Sequence, residues 1–281
     1  MTEIKVAAIQ CAFSADMGEN IARVEGYVAE AARQGAQVIL PPELLQGPYF
    51  CVEEKEHHFD TAFPAATHPV VTRLSAVAKS LKVAIPASIF ERDGQHFYNS
   101  LAMIDADGAV LGVYRKSHIP DGPGYEEKFY FRPGNTGFKA WTTKYGKLGV
   151  GICWDQWFPE CARAMMLLGA DVLFYPTAIG SEPDNPGLDT RDLWQRAMIG
   201  HAVSNVVPVV AANRIGTEHG QTFYGSSFIT NHRGDKVAEL GRTDSGVIVS
   251  AIDIDEVRRN RAAFGFFRDR RPDLYGALTE K

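Results

Sequence analysis

The sequence has few cysteines and no long apolar run. Its 4 cysteines form no C-x-x-C pair and no zinc-binding spacing, and its 8 histidines form no H-x-H or H-x-x-x-H pattern. We therefore interpret the cysteines as reduced thiols of a cytoplasmic protein, and we expect neither a metal nor another cofactor. The longest uncharged stretch, 197–213, contains His201 and Pro208, which favours a buried helix and a strand over a membrane span. The amino terminus lacks the apolar segment of a secretory signal.

Neither sign of charge predominates in the chain. The chain has 29 Lys and Arg residues against 34 Asp and Glu residues, a net charge of −5, without a long run of either sign. Surfaces that bind nucleic acid or anionic membranes need clustered Lys and Arg, so we expect neither partner. The 281 residues, 45% of them hydrophobic, are enough for one large core, and no linker or repeat divides them.

The apolar pattern alternates between the periods of strands and helices. The sequence predicts strands at 4–11, 38–40, 83–91, 99–105, 110–116, 147–153, 171–176, 207–212, 226–230 and 247–254. It predicts helices at 19–34, 68–81, 159–168 and 189–205. This alternation is typical of an α/β protein whose sheets are covered by helices.

Three of these predicted strands lead to side chains of complementary chemistry, Glu43, Lys116 and Cys153. Reactive groups collect beyond the carboxyl ends of strands in α/β sheets. A carboxylate can take the proton of a thiol, and an ammonium can stabilise the thiolate and then an oxyanion. A turn after Cys153 could supply a second oxyanion donor. The three residues together therefore indicate acyl transfer.

Each of the three residues also has a purely structural interpretation. A cysteine at the end of an apolar strand is more often a core residue than a nucleophile. Glu43 could lie in a surface loop, and Lys116, beside Arg115, could be a solvated strand end. The combination favours catalysis, but spacing alone indicates no more than a hydrolase.

The segments around these residues resemble those of the nitrilase, or carbon–nitrogen hydrolase, superfamily. They are Leu-Pro-Pro-Glu at 40–43, Tyr-Arg-Lys-Ser-His at 114–118, and Gly-Val-Gly-Ile-Cys-Trp-Asp at 149–155 with Pro-Glu at 159–160. The resemblance implies a four-layer α-β-β-α sandwich as a single domain over 1–281, and homo-oligomers built from packed sandwiches. It also implies a catalytic triad of Glu43, Lys116 and Cys153.

The superfamily has a second glutamate before an aromatic-x-Pro-Gly segment. The match is Glu-Lys-Phe-Tyr-Phe-Arg-Pro-Gly at 127–134, so the resemblance gives that role to Glu127 rather than to Glu126. There it could hold the lysine and share in proton transfer. The structural alternative is a solvated charge beside Lys128.

Segments 121–131, 153–160 and 175–183 resemble, within the superfamily, enzymes that act on N-carbamoylputrescine. This implies hydrolysis to putrescine, ammonia and carbon dioxide, in polyamine synthesis. The residues independently favour a small cationic ureido substrate. A substrate carboxylate is normally paired with arginine, whereas Cys153 is followed by Asp155 and the loop after the next strand contains Glu182.

We therefore expect Glu182 or Asp155 to bind the substrate ammonium. Either carboxylate could instead cap a helix or pair with a nearby arginine. We expect Tyr49, Tyr125 and Trp154 to line the walls around the butyl chain, with the Trp154 N–H at the oxyanion.

Two other functions remain open from the sequence. One is another amidase of the superfamily, such as an omega-amidase, an aliphatic amidase or a β-ureidopropionase-like enzyme. The other is a catalytically silent binding protein on the same scaffold. The terminal segment 256–281, rich in Arg and aromatic residues, is either a charged tail or an oligomer contact, and we favour the contact.

Overall fold

The computed structural model describes residues 2–280; Met1 and Lys281, the two ends of the predicted domain, lie outside the described residues. The strands are β1 Glu3–Gln10, β2 Val38–Leu40, β3 Ile85–Asp93, β4 His96–Ile104, β5 Val110–Arg115, β6 Ala140–Thr143, β7 Gly146–Val150, β8 Val172–Pro176, β9 Val209–Ala212, β10 Ile215–Glu218, β11 Gln221–Tyr224, β12 Phe228–Thr230, β13 Lys236–Glu239 and β14 Gly246–Asp253. The α-helices are α1 Met17–Arg33, α2 Pro69–Leu81, α3 Glu127–Tyr130, α4 Pro159–Leu167, α5 Arg191–Asn205 and α6 Ile254–Phe264.

The strands form two large sheets. The first contains β14-β1-β2 and β3-β4-β5, joined by a parallel bridge between Val38 and Ala84. At this bridge the Ala84 N–H donates to Gln37 O at 2.8 Å, and the Ile39 N–H donates to Ala84 O at 3.0 Å. The second sheet has the order β13-β12-β9-β8-β7-β6. Strands β10 and β11 form a separate antiparallel hairpin.

The two sheets pack face to face, and helices cover their outer faces. The inner faces contribute one apolar core, with Val6, Leu101 and Met103 from the first sheet and Val150 and Phe174 from the second. Helices α1 and α2 share a second core with the first sheet, and α4 and α5 share a third with the second sheet. These layers confirm the predicted α-β-β-α sandwich.

Helix α1 has the local signals that the sequence analysis used. Its buried apolar residues Ile21, Val24, Val28 and Ala31 recur at helical spacing, so one face packs on the sheet. The Glu19 N–H donates to the Asp16 carboxylate at 2.9 Å, which caps the first turn. Gly35 has a φ of 90° just beyond the helix, the conformation for which glycine is favoured there.

The carboxyl-terminal part differs from the prediction. The predicted strand 247–254 ends at Asp253, whose carboxylate accepts from the Glu256 N–H at 2.9 Å and caps α6. Ile254 and Val257 of α6 are buried at the edge of the central core, so this helix is part of the sandwich and not a charged tail. The sequence also does not predict strands β6, β10, β11 and β13 or helix α3. No helix within 2–280 is long and apolar enough to cross a bilayer.

Candidate active site

Glu43, Lys116 and Glu127 form a buried cluster of charges between the two sheets. The Lys116 Nζ donates to Glu43 Oε1 at 3.0 Å and to Glu127 Oε2 and Oε1 at 2.7 and 2.8 Å. All three side chains are inaccessible to solvent. Buried charges are retained only when they are paired and hydrogen-bonded, so each member of this cluster depends on the others. The structure therefore brings Glu127 to the lysine, as the sequence motif implied.

Backbone contacts fix Lys116 directly after β5. Its N–H donates to Asn99 O on β4 at 2.8 Å, and its carbonyl accepts from the Gly134 N–H at 2.8 Å. A Cβ at Gly134 would lie 2.0 Å from the Arg115 carbonyl oxygen, so only glycine permits this approach. The Asn99 amide also donates to Glu43 Oε1 at 2.7 Å. The same stretch of β4 thus orients both Glu43 and Lys116.

Cys153 opens a tight turn after β7, the 3-10 helix Cys153–Trp157. Its φ is 41°, which non-glycine residues rarely adopt and which is enriched at functional sites. The chain packs closely here, since a Cβ on Gly151 would lie 3.0 Å from the Tyr175 ring. The thiol lies 3.8 Å from the Ala178 carbonyl oxygen, and the residue as a whole is 5% exposed. This turn places the sulfur at the end of β7, close enough to Glu43 and Lys116 for their charges to act on the thiol.

Burial and neighbouring charges shift the pKa values of Cys153, Lys116 and Glu127. Burial raises the pKa of the Cys153 thiol well above its ordinary value, Glu43 adds to the rise, and Lys116 opposes it. Burial disfavours the charge of Lys116, but Glu127 and Glu43 outweigh it and hold the lysine pKa above its ordinary value. Burial raises the pKa of Glu127 to about 7, against the opposing effect of Lys116. A thiol with a raised pKa is protonated at neutral pH, so it needs a base before it can act as a nucleophile. Glu43 Oε2 has no hydrogen-bond partner within 2–280 and could accept that proton.

A cavity of about 500 Å³ opens onto Cys153. It is lined by Pro120, Asp121, Gly122, Pro123, Tyr125, Cys153, Trp154, Trp157, Ile179, Glu182, Leu188 and Thr190. Two of these residues are acidic, and the described lining contains no lysine, arginine or histidine. The arrangement suits a ligand with an apolar body and a positive charge.

Trp154, Tyr125 and Glu182 lie in the cavity wall, where the sequence analysis expected them. The Tyr125 hydroxyl accepts from the Gly180 N–H and from the Gln221 amide, both at 3.0 Å, so the ring is fixed from two sides. Glu182 is half-buried, and burial raises its pKa while a hydrogen bond from Thr190 opposes the rise. Its carboxylate is thus available to a cation within the cavity.

Asp155 is not part of the described lining of the cavity, which corrects the expectation that it contacts the substrate ammonium. Its Oδ1 accepts from the N–H and the Nδ1 of His118 at 3.0 and 2.7 Å. Its Oδ2 accepts from the Tyr114 hydroxyl at 2.7 Å and from the Ile152 N–H at 2.9 Å. The side chain is fully buried and its oxygens are used, so it joins the segment around Lys116 to the turn of Cys153.

Tyr49 also lies outside the described lining of the cavity, which corrects its expected place in the wall. It is fully buried, and its hydroxyl donates to Glu127 Oε1 at 2.7 Å. Its ring packs edge-on against Tyr125 and Phe223, with centroids 6.1 and 5.7 Å apart. Tyr49 therefore supports the charge cluster through its hydrogen bond to Glu127.

Sequence reasoning missed several residues of the site, among them Asn99 and Asp121. Asn99 follows Tyr98 in a strand pattern, and nothing local indicates that its amide reaches Glu43, 56 positions away. Asp121 had a visible signal, because it precedes Gly122-Pro123-Gly124 in a loop directly after the lysine segment. Polar residues in such loops are candidates for ligand contact.

Comparison with known proteins identifies the family of the chain. A profile of the family described as carbon-nitrogen hydrolase matches residues 5–262. A citrullinase from Francisella tularensis is 52% identical over 100% of both chains. An N-carbamoylputrescine amidase from Solanum tuberosum is 56% identical over 98% of this chain and 94% of its own. A carbon–nitrogen hydrolase from Helicobacter pylori of known crystal structure has a TM-score of 0.93 and 35% identity, with 99% of each chain covered.

The profile spans most of the chain, and these relatives align over nearly their full lengths. The fold, the motifs around the three candidate residues and these similarities agree with one another. The chain therefore belongs to the carbon–nitrogen hydrolase family.

Proposed function

We propose that the protein hydrolyses N-carbamoylputrescine to putrescine, ammonia and carbon dioxide. One observation carries the proposal: Cys153 and the carboxylate of Glu182 share a cavity whose other walls are largely apolar and whose described lining has no cationic side chain. The substrate has a ureido group and an ammonium separated by a butyl chain, so its charge and shape match this cavity. The similarity to the amidase from Solanum tuberosum supports the same substrate.

The first stage transfers an acyl group to the enzyme. Glu43 takes the thiol proton, and the Cys153 sulfur adds to the ureido carbon. The oxyanion that forms is stabilised by Lys116 and by the backbone N–H of Trp154. As the intermediate collapses, one C–N bond breaks, Glu43 returns the proton to the departing nitrogen, and a thioester-like intermediate remains on the sulfur.

The second stage hydrolyses the thioester-like intermediate. A water molecule gives a proton to Glu43 and adds to the same carbon, and the C–S bond then breaks. The sulfur takes back the proton from Glu43. The carbamic acid that leaves decomposes to carbon dioxide and whichever of ammonia and putrescine did not leave in the first stage, so both nitrogens of the ureido group are released.

Glu127 acts through the lysine in this proposal. It binds Lys116 with both carboxylate oxygens, which keeps the ammonium aimed at the reacting carbonyl. Because its pKa is raised to about 7 by burial, it can also take up or release a proton near neutral pH.

Citrulline is the second candidate substrate, because a citrullinase is 52% identical over the whole chain. Citrulline carries the same ureido group but has a carboxylate beside its ammonium. The described lining of the cavity offers that carboxylate no cation, and Asp121 and Glu182 repel it. A buried unpaired charge is strongly unfavourable, so the cavity favours the carbamoylated diamine.

The test is a substrate panel analysed by mass spectrometry of the products. It compares N-carbamoylputrescine with citrulline, N-carbamoyl-β-alanine and simple aliphatic amides. We expect kcat/KM for N-carbamoylputrescine to exceed that for citrulline by about 100-fold, which corresponds to about 2.7 kcal/mol. Equal or faster turnover of citrulline would show that the substrate assignment is wrong.

A cysteine variant tests the chemistry and separates it from silent binding. C153S should retain the fold and lose turnover, because an alcohol is a far weaker nucleophile than a thiolate. Because Glu43 can take the thiol proton, iodoacetamide should label Cys153 of the parent protein at near-neutral pH and abolish its activity. Normal turnover by C153S, or full activity after complete labelling, contradicts the proposed mechanism.

The cellular setting is also part of the proposal. Release of the diamine putrescine places the reaction in polyamine biosynthesis. The cysteines at 11, 51, 153 and 161 are all unpaired, as expected in the reducing cytoplasm. Fractionation of cells that express the protein tests this location.

We also propose a homo-oligomer that uses the carboxyl-terminal segment. Phe264 and Leu278 are 59% and 65% exposed, and nearby Leu167 of α4 is 50% exposed. A groove between α4, α5 and this segment, about 690 Å³ in volume, includes Leu167 and Leu278. Large exposed apolar patches mark interaction sites, and a second copy of the chain is the proposed occupant. Light scattering should give a multiple of 30.9 kDa, and a monomeric mass contradicts the assembly.

A further inference from the structure

Arg214 is a fully buried residue between β9 and β10, outside the described lining of the cavity. Its guanidinium donates to three carbonyl oxygens of one segment, those of Glu43 at 2.6 Å, Leu44 at 3.1 Å and Gly47 at 3.2 Å. Most buried arginines are explained by the carboxylates they pair with. Arg214 pairs with Glu218 and in addition makes three contacts with the backbone of the segment that begins with the proposed base.

Glu218 connects this arginine to the other side of the charge cluster. Its Oε2 accepts from Arg214 Nη1 at 2.6 Å and from the Tyr49 N–H at 2.5 Å. The Tyr49 hydroxyl binds Glu127, Glu127 binds Lys116, and Lys116 binds Glu43. The hydrogen bonds therefore form a closed ring.

Aromatic rings hold the guanidinium in place. Its carbon lies 4.8 Å from the ring centroid of Phe13, 5.5 Å from that of Phe223 and 5.9 Å from that of Tyr49. Cation–π contacts of this kind add to the paired hydrogen bonds. The planar fork of Arg214 thus has one orientation, and the backbone oxygens that it binds are fixed with it.

We propose that Arg214, anchored by Glu218, is a positioning residue that sets the place of the Glu43 carboxylate relative to Lys116 and Glu127. The inference rests on the proposed thiol hydrolase, because it concerns the same base. Arg214 acts through the 43–47 backbone. Displacing a base by about 1 Å can lower a rate by about 100-fold, so the effect should fall on kcat.

The test compares R214K with R258K. Lysine keeps the positive charge but has one nitrogen in place of a fork, so it cannot hold the three carbonyls and Glu218 together. Arg258 makes two 2.9 Å bonds to Asp171 and is far in the chain from the segment, so R258K controls for the loss of a paired arginine. We expect kcat per folded R214K enzyme to fall about 100-fold, with KM within about threefold of the parent value.

Alkylation of Cys153 by iodoacetamide provides a readout that needs no substrate. It depends on proton removal by Glu43, so its rate should fall with kcat in R214K and stay at the parent value in R258K. Folded R214K with both rates within about twofold of the control overturns the inference. If the parent protein does not turn over N-carbamoylputrescine but alkylation still slows in R214K, the proposed function fails and the positioning role stands.

Two further variants keep the inference testable if R214K does not fold. E218Q keeps an oxygen that can accept from both Arg214 and Tyr49, whereas E218A removes it. We expect the alkylation rate to remain near the parent value in E218Q and to fall about tenfold or more in E218A. Equal rates in the two variants contradict the positioning role.

Discussion

Replacement of Asp155 by asparagine should separate a positioning role from substrate binding. The carboxylate accepts four hydrogen bonds, two at each oxygen, from groups that flank Lys116 and Cys153. Asparagine retains one oxygen, so its amide nitrogen must face either the two donors of His118 or the Tyr114 hydroxyl and Ile152 N–H. In either orientation, acceptor sites for two donors are lost.

The size of the effect follows from these contacts. A hydrogen bond to a charged group contributes about 1.5–3 kcal/mol, so loss of two lowers the free energy of unfolding by about 3 kcal/mol or more. A domain of this size is stable by about 5–15 kcal/mol, and each kcal/mol corresponds to about 2–4 °C in Tm. We therefore expect Tm of D155N to fall by at least about 6–12 °C, the shift that corresponds to about 3 kcal/mol.

The assay combines thermal unfolding with steady-state kinetics at a temperature where the variant is folded. We expect kcat to fall because the turn of Cys153 is no longer tied to the segment of Lys116, while KM for N-carbamoylputrescine stays near the parent value. D121N, which changes an acidic residue of the cavity wall, is the matched control and should leave Tm unchanged. A large rise in KM for D155N with an unchanged Tm refutes this reasoning and restores Asp155 as a substrate ligand.

Three further predictions concern the cavity, the charge cluster and the backbone. E182Q should raise KM for N-carbamoylputrescine about tenfold or more, because it removes a charged partner of the ammonium. It should leave KM for neutral butylurea unchanged. Equal effects on the two substrates contradict the ammonium contact. The folded-state pKa of Glu127, about 7, lies above its ordinary value of 4.5, so its contribution to stability is greatest below pH 4.5 and is lost as the pH rises toward 7. E127Q cannot ionise, and its Tm should therefore fall less than that of the parent between these pH values; parallel curves measured by calorimetry argue against the shift. G134A should unfold the lysine segment, because the new Cβ would lie 2.0 Å from the Arg115 oxygen, and normal activity of a folded G134A would contradict that steric argument.

Much of the fold could be predicted from local pattern. The predicted strand at 38–40 coincides with β2, and the predicted helix at 68–81 differs from α2 by one residue, because these segments combine strong apolar periodicity with clear boundary residues. The start of α6 had the capping signature Asp253 with Glu256 three positions later, but the apolar run up to Ile254 hid it. The hairpin of β10 and β11 had little local signal, because the buried charge of Glu218 is paired with Arg214 and with the distant Tyr49 N–H.

The site could be predicted where its chemistry lies in short motifs. Glu43, Lys116 and Cys153 carry recognisable neighbours, and the structure brings Glu43 and Lys116 into contact. The roles of Asp155 and Tyr49 could not be deduced, because the His118 and Tyr114 partners of Asp155 are 37 and 41 positions away and the Glu127 partner of Tyr49 is 78 positions away. An aspartate beside a nucleophile and an aromatic residue in a loop suggest ligand contacts until the tertiary structure shows what occupies their hydrogen-bonding groups.

The site is built from residues of both sheets, and this arrangement affects how the enzyme loses activity. Glu43 and Lys116 follow strands of one sheet, Cys153 follows a strand of the other, and Asp155 bonds both sides. The sheets cannot separate locally without exposing the core that both share. Inactivation and global unfolding should therefore be a single cooperative event, with the same denaturant midpoint by activity and by circular dichroism. Enzymes whose reactive groups sit on a mobile flap lose function first, whereas here the reactive groups report on the integrity of the whole sandwich.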